Sequence, residues 1–214
     1  MTTLSQQPKM TTHLSKSDYL LGIKCPLALW YKKHRKDLTP EHDEARLEQG
    51  NEVGALARQY FGDSVVIQSK PWLDSALTET EAAIESKADV ICEAVCRRDN
   101  GDYCAIDILR NNKDGTFDMI EVKSSTEPKD YHIVDLSFQY YVFSGKYKIR
   151  DCYVMTIDNT YVRHGDSQFL KSFFIVVPFV CFTMYIIRRI PTEVRYYFQE
   201  NASMDGRVFP SIMA

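Results

Sequence analysis

Two acidic side chains and one lysine in the middle of the chain have the residue types and spacing needed for metal chemistry. Glu121 and Lys123 stand two positions apart in the apolar segment 116–125, and Asp107 stands in the segment before it. Neighbouring carboxylates repel, and each raises the pKa of the other unless a cation intervenes. Carboxylates, carbonyls and waters suit Mg²⁺ or Mn²⁺. We therefore predict a site for one of these ions at Asp107, Glu121 and the carbonyl of Val122.

The lysine extends this site toward phosphate chemistry. Lys123 would lie near the ion, where an ammonium group can steady a nucleophilic water or the charge that develops on a phosphate. Such a set of groups suits the hydrolysis of a phosphodiester bond. The alternative is that Glu121 and Lys123 form a surface ion pair, worth roughly 0–1 kcal/mol. Asp107 and the apolar strand context favour the site over the ion pair.

The site depends on how two adjacent strands align. Side chains alternate between the faces of a strand, so Glu121 and Lys123 share a face. If Asn111 pairs with Thr116, Asp107 lies opposite Ile120, on the wrong face. One additional residue in the loop would place Asp107 opposite Glu121 instead, and such bulges are common beside active sites.

Three strands and their turns are expected around these residues. Segments 89–98, 102–112 and 116–125 have a strand-like period and are separated by Asn-Gly and Asp-Gly turn signals. They predict an antiparallel meander. A helix over 127–145, stopped by Gly145, and a further strand over 149–158 follow. The order of elements indicates a mixed α/β domain.

Helices are expected to precede the meander. The region 14–38 looks helical, with Ser15 and Asp18 as a capping pair and with Gly22 and Pro26 as breaks. Further predicted elements are a helix over 39–62, a short strand over 65–68, and a helix over 77–88 with a capping box at Thr78 and Glu81.

These segments, taken together, resemble the PD-(D/E)XK nuclease superfamily in its RecB-like and CRISPR-associated exonuclease branch, close to uncharacterised bacterial families of the same clan. The likeness covers roughly 14–160 and is carried by "LSKSDYLLGIKCPLALWYKKHR", "EQGNEVGALA", "AIDILRNNKDGTFDMIEVKSST" and "FQYYVF". It implies a restriction-endonuclease-like core and a metal-dependent nuclease acting on single- or double-stranded DNA. Asp107 and Glu121 would bind the metal, and Lys123 would be the catalytic lysine.

The resemblance also implies a role for Gln139, and this chain departs from the family pattern at two positions. Gln139 matches a glutamine that helps to place DNA or the metal-bound water. The family often has tyrosine four residues later, where this chain has Phe143, and often has histidine where this chain has Gly54. Glu52 is a weak substitute for that histidine. Glu93, on the first strand, is interpreted as a structural or surface residue.

The overall charge and the cysteines bear on the partners, the compartment and the cofactors to expect. The net charge of −3 excludes a global basic field, although "YKKHRK" at 31–36 is a local cluster, either a nucleic-acid contact or a solvated helix end. The six cysteines contain no CxxC pair, so reduced thiols in a cytoplasmic protein are expected. Cys25 matches an iron–sulfur ligand of some members, but only Cys181 follows near the C-terminus, so we expect no cluster.

The ends of the chain are predicted to differ from its middle. We expect a polar, disordered 1–13 without a secretory signal, a nuclease-like domain over 14–166, and an apolar segment over 167–214. The run 169–187 is somewhat short for a membrane span, which needs about 20 apolar residues, and Pro178 interrupts it. Spanning, re-entrant, buried and aberrant interpretations of this segment stay open.

Three functions are therefore carried forward. The first is a metal-dependent DNA nuclease. The second is a nuclease-like domain that binds nucleic acid without cutting it, as the departures at Gly54 and Phe143 suggest. The third is a membrane-attached or interaction protein that contacts lipid or a partner through 169–187.

Overall fold

The described part of the chain forms one mixed six-stranded sheet with helices on both of its faces. The computed structural model describes residues 13–35, 37, 44–162 and 173–178, with the backbone alone at 44–49. Its strands are β1 (Val65–Val66), β2 (Val90–Arg97), β3 (Tyr103–Asn111), β4 (Phe117–Val122), β5 (Ile149–Ile157) and β6 (Phe174–Pro178). Its helices are α1 (Lys16–Lys24), α2 (Pro26–His34), α3 (Glu44–Tyr60), α4 (Asp74–Glu85) and α5 (Asp130–Phe143).

The predicted meander is present at the centre of the sheet. The strands follow one another in chain order, and β2, β3 and β4 pair antiparallel. The β4 and β5 strands pair parallel, because α5 carries the chain back across the sheet between them. The β1 strand pairs parallel with β2, and β6 pairs antiparallel with β5.

The two faces of the sheet bury separate hydrophobic clusters. On β4, Met119 packs in a cluster that includes residues of α1, α2, α4 and α5, while the adjacent Ile120 packs in a cluster that includes residues of α3. Alternation along the strand explains this division. Because both faces are covered, the central strands read as nearly continuous apolar runs, and a polar side chain among them stands out.

The N-terminal helices are bounded as the sequence indicates. The Ser15 side chain accepts a hydrogen bond from the Asp18 amide, and the Asp18 carboxylate accepts one from the Ser15 amide, which confirms the capping pair. Cys25 ends α1 and precedes Pro26, the first residue of α2. This proline lacks an amide hydrogen and is therefore tolerated only at the start of a helix.

One local prediction is wrong. Helix α4 begins at Asp74 rather than near Thr78, and the Thr78 hydroxyl donates to the Asp74 carbonyl within the helix instead of capping it.

Of the two hairpin alignments left open by the sequence, the structure has the second, because Asn111 pairs with Phe117 and not with Thr116. The loop therefore contains the one additional residue that the alternative alignment requires.

Several predictions concern residues outside the described ranges. They include the segment 1–12, positions 39–43 of the predicted second helix, Lys36, Cys181 and most of the apolar run 169–187. Within that run, the described residues Phe174–Pro178 form β6. In the described part of the chain, no helix has the length and apolarity needed to cross a membrane.

Candidate active site

Asp107 and Glu121 come together because β3 and β4 pair in the alignment just described. The ladder runs from Asn111 opposite Phe117 to Ile108 opposite Ile120, so Asp107 and Glu121 are the next residue on each strand. A side chain also links the two strands here, since the Val122 amide donates to the Asp107 carboxylate, 2.6 Å from Oδ2. The Asp107 carboxylate therefore lies beside the peptide that joins Glu121 to Val122.

Glu121 is the centre of a buried polar network. Its side chain is only 2% exposed. Oε1 accepts from Lys123 Nζ at 2.6 Å and from Lys16 Nζ at 3.0 Å, and Oε2 accepts from Gln139 Nε2 at 2.6 Å. Both oxygens of a buried carboxylate are thus satisfied, two of the three bonds being to cations.

The remaining acid of the network, Asp135, lies one helical turn before Gln139 on α5. Its Oδ2 is 2.5 Å from Lys123 Nζ, and its Oδ1 is 3.4 Å from Lys16 Nζ. Gln139 Nε2 also approaches Asp135 Oδ1, at 3.4 Å. Residues four apart on a helix lie on one face, so α5 presents Asp135 and Gln139 together to the sheet.

The charges of the network shift its pKa values in opposite directions. Burial opposes ionisation of Glu121, but the ammonium groups of Lys16 and Lys123 outweigh it and hold its pKa below the usual range. Burial raises the pKa of Asp107, and the charge of Glu121 raises it further. The pKa of Asp135 is raised for the same two reasons. Glu121 is therefore the anion that the two lysines stabilise most strongly.

The sequence-predicted residues are all found in one place. Asp107, Glu121, Lys123 and Gln139 are linked through the contacts above, and Val122 joins them through its amide. Gln139 Oε1 is buried and accepts no hydrogen bond from the described residues. The described ranges contain no group of three or more His, Cys, Asp or Glu side chains arranged to hold a metal.

Sequence reasoning missed Lys16 and Asp135. Lys16 is the first residue of α1 and lies 105 positions from Glu121 along the chain. No motif around either residue marks it. The capping pair at Ser15 and Asp18 was the available signal, because it fixes where α1 begins and hence where Lys16 projects.

Glu93 lies closer to the site than the sequence indicated. The pairs on either side of it, Cys92 with Ile108 and Ala94 with Ile106, align it with Asp107 across β2 and β3. Its φ of 58° is uncommon for a residue with a side chain. Its carboxylate accepts from Arg58 Nη1 at 3.1 Å. Burial raises the pKa of Glu93, although Arg58 opposes that effect.

The two positions that depart from the resemblance are used differently here. Phe143, where the family often has tyrosine, is fully buried in the core. The nearby Tyr141 has its hydroxyl hydrogen-bonded to Asn100. Gly54 faces Arg58, whose Nη1 would lie 3.9 Å from a Cβ added at Gly54. Glu52 is exposed and has no contact with the network among the described residues.

The local basic cluster is partly neutralised by an acid of α1. Lys32 Nζ is 2.9 Å from Asp18 Oδ1, and Lys33 Nζ is 2.6 Å from Asp18 Oδ2. Although burial opposes this shift, the two lysines lower the pKa of Asp18 to about 2. These contacts tie α2 to α1 and favour the interpretation as a helix end over a free cationic surface.

Comparison with solved structures identifies the fold that carries this polar network. An alkaline exonuclease from Laribacter hongkongensis superposes with a TM-score of 0.53 at 15% identity, covering 89% of this chain and 88% of its own. The chain shares its fold with this protein. This likeness confirms the predicted α/β class with a restriction-endonuclease-like core.

The other comparisons add less. The complex of the same exonuclease with dAMP gives a TM-score of 0.48 at 16% identity, covering 89% of this chain and 88% of the other. No protein-family model and no curated protein matches the sequence.

Proposed function

We propose that this chain is a metal-dependent nuclease that hydrolyses phosphodiester bonds in DNA. The observation that carries the proposal is the Asp107 carboxylate bonded to the amide that follows Glu121, with Lys123 bonded to Glu121 itself. The exonuclease fold supports it. We further propose that the nuclease domain spans 14–166 and lies in the RecB-like branch of the PD-(D/E)XK superfamily.

The chemistry of the donor set fits a hard divalent cation. Asp107, Glu121 and the Val122 carbonyl would hold Mg²⁺ or Mn²⁺, since these ions prefer oxygen ligands. Asp107 Oδ1 receives no hydrogen bond from the described residues, and a cation beside it would relieve its repulsion with Glu121. The bound ion would polarise the phosphate and generate a nucleophile from water.

The protein's own groups would orient the reaction. Lys123 keeps its charge, because Glu121 and Asp135 more than offset the effect of burial and raise its pKa. Its side chain is 20% exposed, so its ammonium group can reach a phosphate oxygen while Asp135 holds it in place. Gln139 fixes the second oxygen of Glu121 and so orients this carboxylate.

The test is cleavage of labelled single- and double-stranded DNA with Mg²⁺ or Mn²⁺. We expect Lys123→Met and Asp107→Asn each to lower the rate by about 100-fold or more, since each removes a group that acts on the transition state. Lys113→Met is the matched control, because Lys113 is an exposed lysine in the β3–β4 loop and pairs with Asp89, which precedes β2. Wild-type cleavage no faster than the Lys123→Met background with both ions would refute the proposal.

A second candidate is a domain that binds DNA without cutting it. The observation that favours it is the satisfied state of Glu121, whose oxygens already bind Lys16, Lys123 and Gln139. In that case, DNA binding would weaken with salt and no divalent ion would produce turnover. A calorimetric Mn²⁺ signal that Asp107→Asn abolishes would count against this candidate.

A further inference from the structure

Lys16 is held at the candidate site by the way α1 attaches to the sheet. The amide of Leu14 donates to Asp102 Oδ1 at 3.0 Å, and Ser15 bridges to Tyr103 at the start of β3. Tyr19 stacks on Phe138 of α5 with ring centroids 4.6 Å apart. These contacts fix α1 against both β3 and α5, so the position of its first residue is set by the fold.

The Lys16 ammonium shares a single carboxylate oxygen with a second ammonium. Lys16 Nζ lies 3.0 Å from Glu121 Oε1, and Lys123 Nζ lies 2.6 Å from the same atom. Lys16 also lies 3.4 Å from Asp135 Oδ1. A lysine ammonium is charged near neutral pH, so Lys16 faces both Glu121 and Asp135 as a cation.

The two lysines differ in how firmly they are attached. Lys123 contacts Asp135 at 2.5 Å and Glu121 at 2.6 Å, and its side chain is 20% exposed. Lys16 makes the longer contacts, and its side chain is 29% exposed. The longer contacts and the flexible, more exposed stem make Lys16 the easier of the two cations to displace. Lys16 is therefore the cation that gives way when another cation approaches Glu121.

We propose that Lys16 is a built-in competing cation that sets the divalent-ion affinity of the candidate site. This inference rests on the proposed function, since it takes Glu121 as a metal ligand. A divalent ion at Glu121 is repelled by the Lys16 ammonium while it remains and must compete with it for Oε1. Removal of this ammonium therefore tightens metal binding, whereas loss of a ligand weakens it.

The experiment is calorimetric titration of Mn²⁺ into the full chain and its variants. We expect Lys16→Gln to lower the Kd for Mn²⁺ about tenfold, which is about 1.4 kcal/mol. Lys16→Arg keeps the charge, so its Kd should stay within about threefold of wild type. Lys32→Gln is the control, because Lys32 is a lysine of similar exposure that pairs with Asp18 instead of Glu121.

A second charge-free variant shows whether a change in Mn²⁺ affinity comes from the lost charge or from a folding defect. Lys16→Met keeps the aliphatic stem and should tighten binding as Lys16→Gln does. Thermal unfolding of each variant with and without Mn²⁺ is the independent readout, and the stabilisation by Mn²⁺ should be larger in both charge-free variants than in wild type.

Two outcomes overturn the inference and are distinguishable. If wild type binds Mn²⁺ and Asp107→Asn does not, but the charge-free Lys16 variants bind no tighter than wild type, Lys16 does not compete and the proposed function stands. If neither wild type nor any Lys16 variant binds Mn²⁺ or Mg²⁺, the inference and the metal-dependent function fail together.

Discussion

At the scale of single residues, the network holds like charges close together and relies on opposite charges to do so. Glu121 is stabilised as an anion by Lys16 and Lys123, whereas Asp107 receives only one amide hydrogen bond from the described residues. Functional sites commonly hold such unfavourable charge arrangements at a cost in stability. The sequence identified Asp107 and Glu121 by residue type, but the difference between their environments arises only from packing.

The Asp107→Asn variant should be more stable than wild type in metal-free buffer. Burial and Glu121 raise the pKa of Asp107, so its charged form destabilises the folded chain increasingly as pH rises above the unfolded value near 3.9. Asparagine keeps an acceptor for the Val122 amide and removes the charge. We expect a gain of about 1 kcal/mol at pH 8, measured by urea unfolding with a chelator present.

Exposed Asp114 on the hairpin provides the matched comparison. Asp114→Asn should show no gain in stability at pH 8. An Asp107→Asn protein no more stable than wild type would mean that Asp107 is not strained by its neighbours.

A buried histidine at the start of α5 should make stability depend on pH. Burial, with a further contribution from Lys123, lowers the pKa of His132 to about 4, against about 6.5 in an unfolded chain. The unfolded state therefore binds more protons between these values, and the free energy of unfolding should fall as pH drops from about 7 to about 4. Urea unfolding across this range measures the slope.

The His132→Asn variant should flatten that slope, since asparagine can still accept from the Lys129 amide that donates to His132 Nδ1. The exposed His13 provides the control substitution, His13→Asn. Equal slopes in wild type and His132→Asn would show that this histidine does not contribute to the pH dependence.

At the scale of elements, the β3–β4 hairpin decides whether the site exists. The strands themselves follow from their alternating pattern, but the loop holds one more residue than the simplest alignment of Asn111 with Thr116. Sequence cannot settle such a shift of one residue, because the Asp-Gly signal is compatible with several loop lengths. The apolar pairs Leu109–Met119 and Ile108–Ile120 bury side chains on opposite faces and fix the observed alignment.

A buried acid at the far end of the same hairpin should be essential for its stability. Asp118 is fully buried and accepts from Arg110 at 2.6 Å, Asn112 at 2.8 Å and Arg150 at 3.0 Å. Asp118→Ala removes the buried acceptor that these three donors share, so we expect a loss of about 2–4 kcal/mol in the free energy of unfolding. Urea unfolding measures it.

The control for this prediction is Asp151, an exposed acid that also contacts Arg150, at 3.1 Å. Asp151→Ala should change stability by less than about 0.5 kcal/mol. Similar losses in the two variants would contradict the importance of the buried network.

At the scale of the whole molecule, the candidate site links parts of the chain that lie far apart in sequence. Its groups come from α1, β3, β4 and α5, and the contact between Lys16 and Glu121 spans 105 positions. A ligand that binds such a site stabilises the folded chain as a unit, because unfolding any of these elements destroys it.

Divalent ions should therefore raise the unfolding temperature. At a free Mn²⁺ concentration of 100 times Kd, the expected stabilisation is about 2.7 kcal/mol. For a domain of this size it corresponds to roughly 5–10 °C. Scanning calorimetry with and without Mn²⁺ measures the shift, and Asp107→Asn should abolish it. A similar shift in that variant would place the ion elsewhere.

The sequence by itself determined the residue types of the site, the strands and helices that carry them, and the α/β class, because alternation, turn residues and helix caps are local signals. It also placed Gln139 on the helix after the meander. Only the tertiary structure decided how β3 and β4 align, and only it brought Lys16 to Glu121 and Asp135 to Lys123. Strand alignment and helix orientation are set by packing between distant segments, and no local pattern encodes them.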